Sequence, residues 1–310
     1  MAATDIATTT SNAVRAHAHT SRAHWLNRAP LYRVAAALAG TLPRRARLSL
    51  AAAVGAALTR ACPHETRVVA ENLAHVVPGL AADARARQVR ALFSHFAMCF
   101  ADLVTTNRTC AAPETLLGPG EGDAHVDRVL AGSGFVVLTA HVGNWELAGR
   151  TLVARGGGRP LHIVMAPEVD PAVERLLRGR APVRFVTLRT PADAVPLVAA
   201  LRRGEIVGMQ GDRALGHRGD VAVDFFGAPA PFPLGPFLLA RAAGVPVLPA
   251  FCVLRPDARY TVIVQPPISV DRSVEEAALR RWVAGLATVI ARYPTQWFNF
   301  FDRWSAADAR

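Results

Sequence analysis

The stretch GFVVLTAHVGNWELAGRTLVARG, residues 134–156, decides how this chain is read. Its opening, GFVVLTA, is a short apolar run rich in β-branched residues, the pattern of a strand buried on both faces. From Asn144 onward the apolar residues fall at helical spacing. Between the two lies a tight turn through Gly143-Asn144. A strand ending at His141 puts the imidazole at the carboxyl edge of a sheet, where open α/β sheets place their sites. Glu146 then sits in the first turns of the helix. A carboxylate at that spacing can reach one imidazole nitrogen, fixing the tautomer and leaving the other nitrogen to take a proton from a hydroxyl. Amides at the helix start are available to an oxyanion. The same pair also fits a purely local hydrogen bond.

The strand-then-helix pattern repeats on the C-terminal side. LHIVM (161–165), VRFVTL (183–188), EIVGMQG (205–211), VAVDFFG (221–227), VPVLPAFCV (245–253) and YTVIVQPP (260–267) read as strands. Helical stretches at 170–179, 191–204, 233–244 and 274–293 separate or close them, before the aromatic tail PTQWFNFFDRW (294–304). Repeated βα units predict an α/β fold: a single domain with a central, mostly parallel sheet flanked by helices. On the N-terminal side, segments 31–40, 44–60, 65–77 and 83–104 favour helical spacing over alternation, and they form an N-terminal helical layer on this reading. The chain therefore divides into a disordered Thr/Ala/His-rich tail at 1–28, a helical, membrane-facing region at 29–110 and an α/β core at 111–304.

The 310 residues carry a net charge of +11, and every basic side chain other than histidine is arginine, because the chain contains no lysine. Mean hydropathy is nevertheless positive, at +0.22. A basic yet apolar chain suits an anionic membrane surface better than nucleic acid, and no aromatic-basic nucleic-acid motif is present. Arg44, Arg45, Arg47 and Arg60 bracket an Ala/Leu/Val body, the composition of a helix lying in a lipid interface or of a buried helix with a basic rim. No uncharged stretch reaches the roughly 18 residues of a spanning helix, and the N-terminus lacks the apolar segment of a signal peptide. Cys62, Cys99, Cys110 and Cys252 are widely spaced, without a metal-ligand pattern, and read as reduced thiols. No metal or cofactor is expected. There is no GxSxG elbow, GxGxxG turn or Walker loop. What remains is a general base without a protein nucleophile.

HVGNWE (141–146) resembles the H-x4-D/E block of the glycerolipid acyltransferase superfamily, and more closely the H-x-G-N-W-E of bacterial lipid A biosynthesis acyltransferases. RVVAENLAHVVPGL (67–80), DPAVERLLRGR (170–180) and the block from Gly204 to Phe251 resemble further segments of that family, in the same order. The resemblance implies a glycerolipid-acyltransferase-like core and transfer of a fatty acyl chain from an acyl thioester, on acyl carrier protein or coenzyme A, to a hydroxyl of a lipid or glycolipid. It implies His141 as base and Glu146 as its orienting partner, with Asn144 and Trp145 shaping the turn. Arg180, Asp212, Arg213 and Arg218 would contact the polar parts of donor or acceptor. The implied location is peripheral, on the cytoplasmic face of the inner membrane. A thioesterase using the same residues, or a non-catalytic lipid-binding protein, are the competing readings.

Overall fold

The structure is a computed structural model, described here for residues 42–109, 113–165, 183–188, 190–214 and 219–304. The tail at 1–28, the helical stretches expected at 31–40 and 170–179, Cys110, Arg180 and Arg218 lie outside the described residues.

Among the described residues three helices come first: α1 (Arg44–Ala61), α2 (Pro63–Val76) and α3 (Ala82–Thr109). Pro63 sits at the first position of α2, where its missing N–H costs nothing. Gly55 of α1 lies against the α3 backbone at Phe93 and Ser94, and a Cβ there would collide with both. That contact sets how closely the two helices pack. Arg44 and Arg47, whose sequence context fits a lipid-facing helix or the basic rim of a buried one, turn inward. Arg44 Nη2 lies 2.7 Å from Asp102 Oδ2 and Arg47 Nη2 3.3 Å from Asp102 Oδ1, while the Tyr260 hydroxyl donates to Asp102 Oδ2 at 3.0 Å. The Asp102 side chain is fully buried, so desolvation of the carboxylate forces these partners onto it. Arg45 and Arg60 remain exposed.

The core follows as α4 (Asp123–Leu130), β1 (Phe135–Thr139), α5 (Trp145–Arg155), β2 (Leu161–Val164), β3 (Arg184–Val186), α6 (Val195–Arg202), β4 (Ile206–Gln210), β5 (Asp220–Phe225), β6 (Ala228–Pro233), α7 (Gly235–Ala243), β7 (Val247–Leu254), β8 (Tyr260–Val264) and α8 (Glu275–Arg292). Six strands form one sheet in the order β3-β2-β4-β1-β7-β8, parallel except for the antiparallel edge strand β8. The mostly parallel sheet with helices around it is the predicted α/β architecture. β7 is buried at all eight positions, as a strand covered on both faces must be. The helical layer is not a separate body. Val69, Leu73, Phe93 and Cys99 share one apolar cluster with Leu147, Cys252, Tyr260 and Phe298. The described thiols Cys62, Cys99 and Cys252 are free and buried.

One departure concerns VAVDFFG, whose β-rich pattern predicts another strand of the main sheet. It forms β5 and pairs antiparallel with β6, APAPFP, in a separate two-stranded hairpin. Three prolines in six residues ordinarily argue against a strand. Here Pro229, Pro231 and Pro233 fall on alternate positions, opposite Asp224, Ala222 and Asp220. One side of the strand thus carries all the missing donors and the other keeps its N–H groups for the ladder. Phe226 (φ 54°) and Gly227 (φ 79°) supply the two positive-φ residues of a tight hairpin turn.

Candidate active site

The register of β1 against β4 builds the site. Thr139 pairs with Gln210, so the chain leaves the two strands side by side and His141 and Asp212, each two residues further on, meet. His141 Nδ1 lies 2.8 Å from Asp212 Oδ1, and Asp212 Oδ2 accepts from the His141 backbone N–H at 3.1 Å and from Trp297 Nε1–H at 3.2 Å. Asp212 is 3% exposed. The orienting carboxylate is therefore Asp212, whereas Glu146 was expected in that role. The reason is the turn: His141 still belongs to the sheet edge, and the neighbouring strand brings a carboxylate to its ring. Glu146 lies in the first turn of α5 and lines the adjacent cavity. Asp212, expected among the substrate contacts, is committed to the imidazole.

Electrostatics separates the two partners. Burial pushes the His141 imidazole below its ordinary value. Asp212 pulls it partly back, and the Arg213 guanidinium pushes it down again. Burial would raise the Asp212 carboxyl, but His141, Arg213 and the backbone N–H outweigh it and hold it far below the carboxylate range. Near neutrality the pair is an ionised carboxylate and a neutral imidazole. Nδ1–H then donates to Asp212, and Nε2 keeps a free lone pair. Burial also lowers Arg213, which Asp212 partly offsets, and its guanidinium lies 5.2 Å from the centre of the Phe301 ring.

The turn is pinned from three directions. Asn144 caps α5, its Oδ1 accepting from Leu147 N–H at 3.2 Å, and its own N–H donates to the Cys252 carbonyl at 2.7 Å. Gly143 (φ 58°) donates to the Gln296 carbonyl at 2.9 Å, and any Cβ on it would strike the Cys252 carbonyl. Phe298 N–H donates to the His141 carbonyl at 2.7 Å. Trp145 packs edge-on against the imidazole, with ring centres 5.2 Å apart. Asn144 thus holds the helix start to β7, and Trp145 packs on the ring that the turn presents. The 294–304 tail, legible in sequence only as an aromatic-rich stretch, clasps it through Gln296, Trp297 and Phe298. Trp297 was not singled out by its sequence context, and only the density of aromatic residues there hinted at it.

Beside this pair lies a cavity of about 530 Å³, within the usual range for small-molecule sites. Its floor is one face of the sheet, including Val137, Ile163, Gly208 and Leu248 on adjacent strands, and α5 covers it. A Cβ on Gly208 would sit 2.9 Å from Ile163 Cδ1, so the glycine keeps the floor low. Phe96, Phe100, Leu103 and Phe298 line the side toward the helical layer. Arg213, Glu146 and Gln210 are among its polar lining groups, and the Gln210 amide nitrogen is buried without a hydrogen-bond partner among the described residues. It is a donor available to a carbonyl oxygen. Among the described residues, no cluster of three or more His, Cys, Asp or Glu side chains could hold a metal.

The family model described as "Bacterial lipid A biosynthesis acyltransferase" matches residues 17–306. A phosphatidylinositol mannoside acyltransferase of Mycobacterium tuberculosis is 30% identical over 189 residues, covering 59% of this chain and 58% of its own. The enzyme of that name from Mycolicibacterium smegmatis is 29% identical over 182 residues, covering 57% and 58%. The chain thus matches a little under three fifths of the length of these relatives. Among solved structures, the 1-acyl-sn-glycerophosphate acyltransferase PlsC of Thermotoga maritima aligns with 83% of this chain and all of its own, at 15% identity and a TM-score of 0.37. At that level the likeness decides nothing.

Proposed function

The chain belongs to the bacterial lipid A biosynthesis acyltransferase family, and on that premise we propose that it moves a fatty acyl chain from an acyl thioester to a hydroxyl of a lipid or glycolipid. The donor is acyl carrier protein or coenzyme A. The observation that carries the reading is the buried His141–Asp212 pair beside a largely apolar, chain-sized cavity. His141 Nε2 takes the proton of the acceptor hydroxyl while Asp212 holds Nδ1–H. The alkoxide attacks the thioester carbonyl. Its oxygen becomes an oxyanion held by donors at the start of α5, the Arg213 guanidinium and the Gln210 amide. Collapse breaks the C–S bond, and the thiolate leaves with the proton from the imidazolium. No acyl-enzyme forms. The relatives' names make a glycosylated phospholipid the first acceptor to try.

The test is product analysis. The protein is incubated with palmitoyl-CoA, or with palmitoyl-carrier protein, and a mannosylated phosphatidylinositol, and the lipids are read by mass spectrometry. The proposal expects a new acyl ester on the acceptor. Free fatty acid alone, whatever acceptor is supplied, means a thioesterase. Unchanged thioester with both donors means that the reading is wrong.

Because the base must be neutral, turnover should fall as pH drops through the pKa of His141. Burial sets that pKa below the ordinary value near 6.5. The expected profile is flat through neutrality with an acid limb centred below 6.5. A limb centred above 7 in the pH dependence of kcat would contradict a buried neutral imidazole.

We further infer that the protein works from an anionic membrane surface on the cytoplasmic side. Among the described residues, no helix is long and apolar enough to cross a membrane. On α1, Leu50 and Val54 are 47% and 49% exposed, one helical turn apart, with exposed Arg45 and Arg60 toward the helix ends. That is an apolar stripe with cations for anionic headgroups. Vesicles containing about a third phosphatidylglycerol should co-sediment the protein, and phosphatidylcholine vesicles should not. High salt should release it, since screening shortens the reach of the arginines. Equal binding to both vesicle types would contradict the electrostatic component.

A further inference from the structure

α5 lies lengthwise over the cavity. Asn144 and Trp145 at its start line the cavity, and so do Leu152 and Arg155 at its end. The cavity therefore runs the length of the helix, about 16 Å for eleven residues. His141 marks one end. At the other, a fork of charge replaces the apolar wall. Arg155 Nη1 lies 2.9 Å from Asp123 Oδ1 and Nη2 lies 2.7 Å from Asp127 Oδ1. Both aspartates come from α4, and Asp123 opens that helix, where the N-terminal dipole favours a carboxylate. Arg155 and Asp123 themselves line the cavity. Their side chains are 39% and 55% exposed, so this end faces water. Gly120 wraps the carboxylate closely, for a Cβ there would come within 2.8 Å of Asp123 Oδ1. The walls leading to the fork include Val126, Leu152 and Leu161.

We propose that Arg155, held between Asp123 and Asp127, is the stopper that sets the length of acyl chain this protein accepts. The proposal rests on reading the cavity as the acyl site. Along the apolar walls, each further methylene buried is worth about fourfold in binding. The methylene that reaches the fork gains nothing of the kind. It must displace two charge-assisted hydrogen bonds that a hydrocarbon cannot replace. The preference should therefore rise with chain length and then stop at the fork.

The experiment offers the intact protein a mannosylated phosphatidylinositol as acceptor together with an equimolar series of saturated acyl donors from ten to twenty carbons, as coenzyme A and as carrier-protein thioesters. The chain lengths consumed are read by mass spectrometry. Arg155→Ala should move the preferred length up by two carbons or more. kcat/KM for a donor two carbons beyond the wild-type optimum should rise roughly tenfold. Leu152→Phe, which narrows the same end, should move the preference down. Asp123→Ala, which frees one arm of the fork, should move it up by less than Arg155→Ala. Thermal melts confirm that each variant is folded, and Arg155→Ala is a surface change. Identical length profiles for wild type and Arg155→Ala, with donors still consumed, overturn the stopper and leave the transferase reading intact. A wild-type protein that consumes neither donor series overturns both.

Discussion

Replacing His141 by alanine is expected to lower thioester consumption by roughly 10²–10⁴-fold, the range of general-base assistance, in a protein that still folds. Asp212→Asn should approach the same loss. An amide facing Nδ1 can donate to it, which favours the tautomer that places the proton on Nε2 and removes the base. The double variant should be no worse than His141→Ala alone, since Asp212 acts through the imidazole and the two losses are not additive. Glu146→Gln should cost less than either, because the hydrogen bond to Nδ1 is made by Asp212. Steady-state rates on one acyl thioester with the lipid acceptor present, and melting curves for each variant, check all four. The melts are needed because Asp212 also binds the His141 backbone and Trp297. A folded His141→Ala protein with most of its activity would end the mechanism, and losses that multiply would give Asp212 an independent task.

Asp102→Ala should destabilise the protein by roughly 3 kcal/mol, the cost of stripping one partner from a buried ion pair. The melting temperature should fall by several degrees. The substitution leaves Arg44 and Arg47, both largely buried, without the carboxylate, and it frees the Tyr260 hydroxyl. The effect should extend toward the site, since Tyr260 shares one apolar cluster with Leu147 of α5 and with Cys252, whose carbonyl accepts from the Asn144 N–H. Asp102→Asn, which keeps the shape and loses the charge, should retain part of the stability. Urea titration would read both variants. A change below 0.5 kcal/mol in Asp102→Ala would show that the arginines find water instead.

Much of this molecule is legible in its sequence alone. The run Phe135–Thr139 had to be a buried strand because its apolar residues leave no polar face, and the helical spacing from Asn144 onward admitted one element. Gly143 was legible as a turn residue for a local reason, its freedom at positive φ. The family followed from HVGNWE and the ordered blocks around it, and the family match over residues 17–306 bears that out. Local chemistry writes itself into adjacent residues, and a sequence can be read at that range.

The partner of His141 could not be read that way. Glu146 lies five residues away and Asp212 seventy-one, and only the parallel register of Thr139 with Gln210 brings the second carboxylate to the ring. The inward turn of Arg44 and Arg47 has the same origin, because Asp102, more than fifty residues on, needs cations once it is buried. The proline-bearing β6 is a strand because its partner makes the ladder on the side where no donor is missing. The sequence by itself determined the strand before His141, the turn, the helix after it and the candidate base, for these depend on steric and apolar patterns within a few residues. Only the tertiary structure decided which charges meet, because the low dielectric of the interior makes pairing obligatory and strand register chooses the pairs.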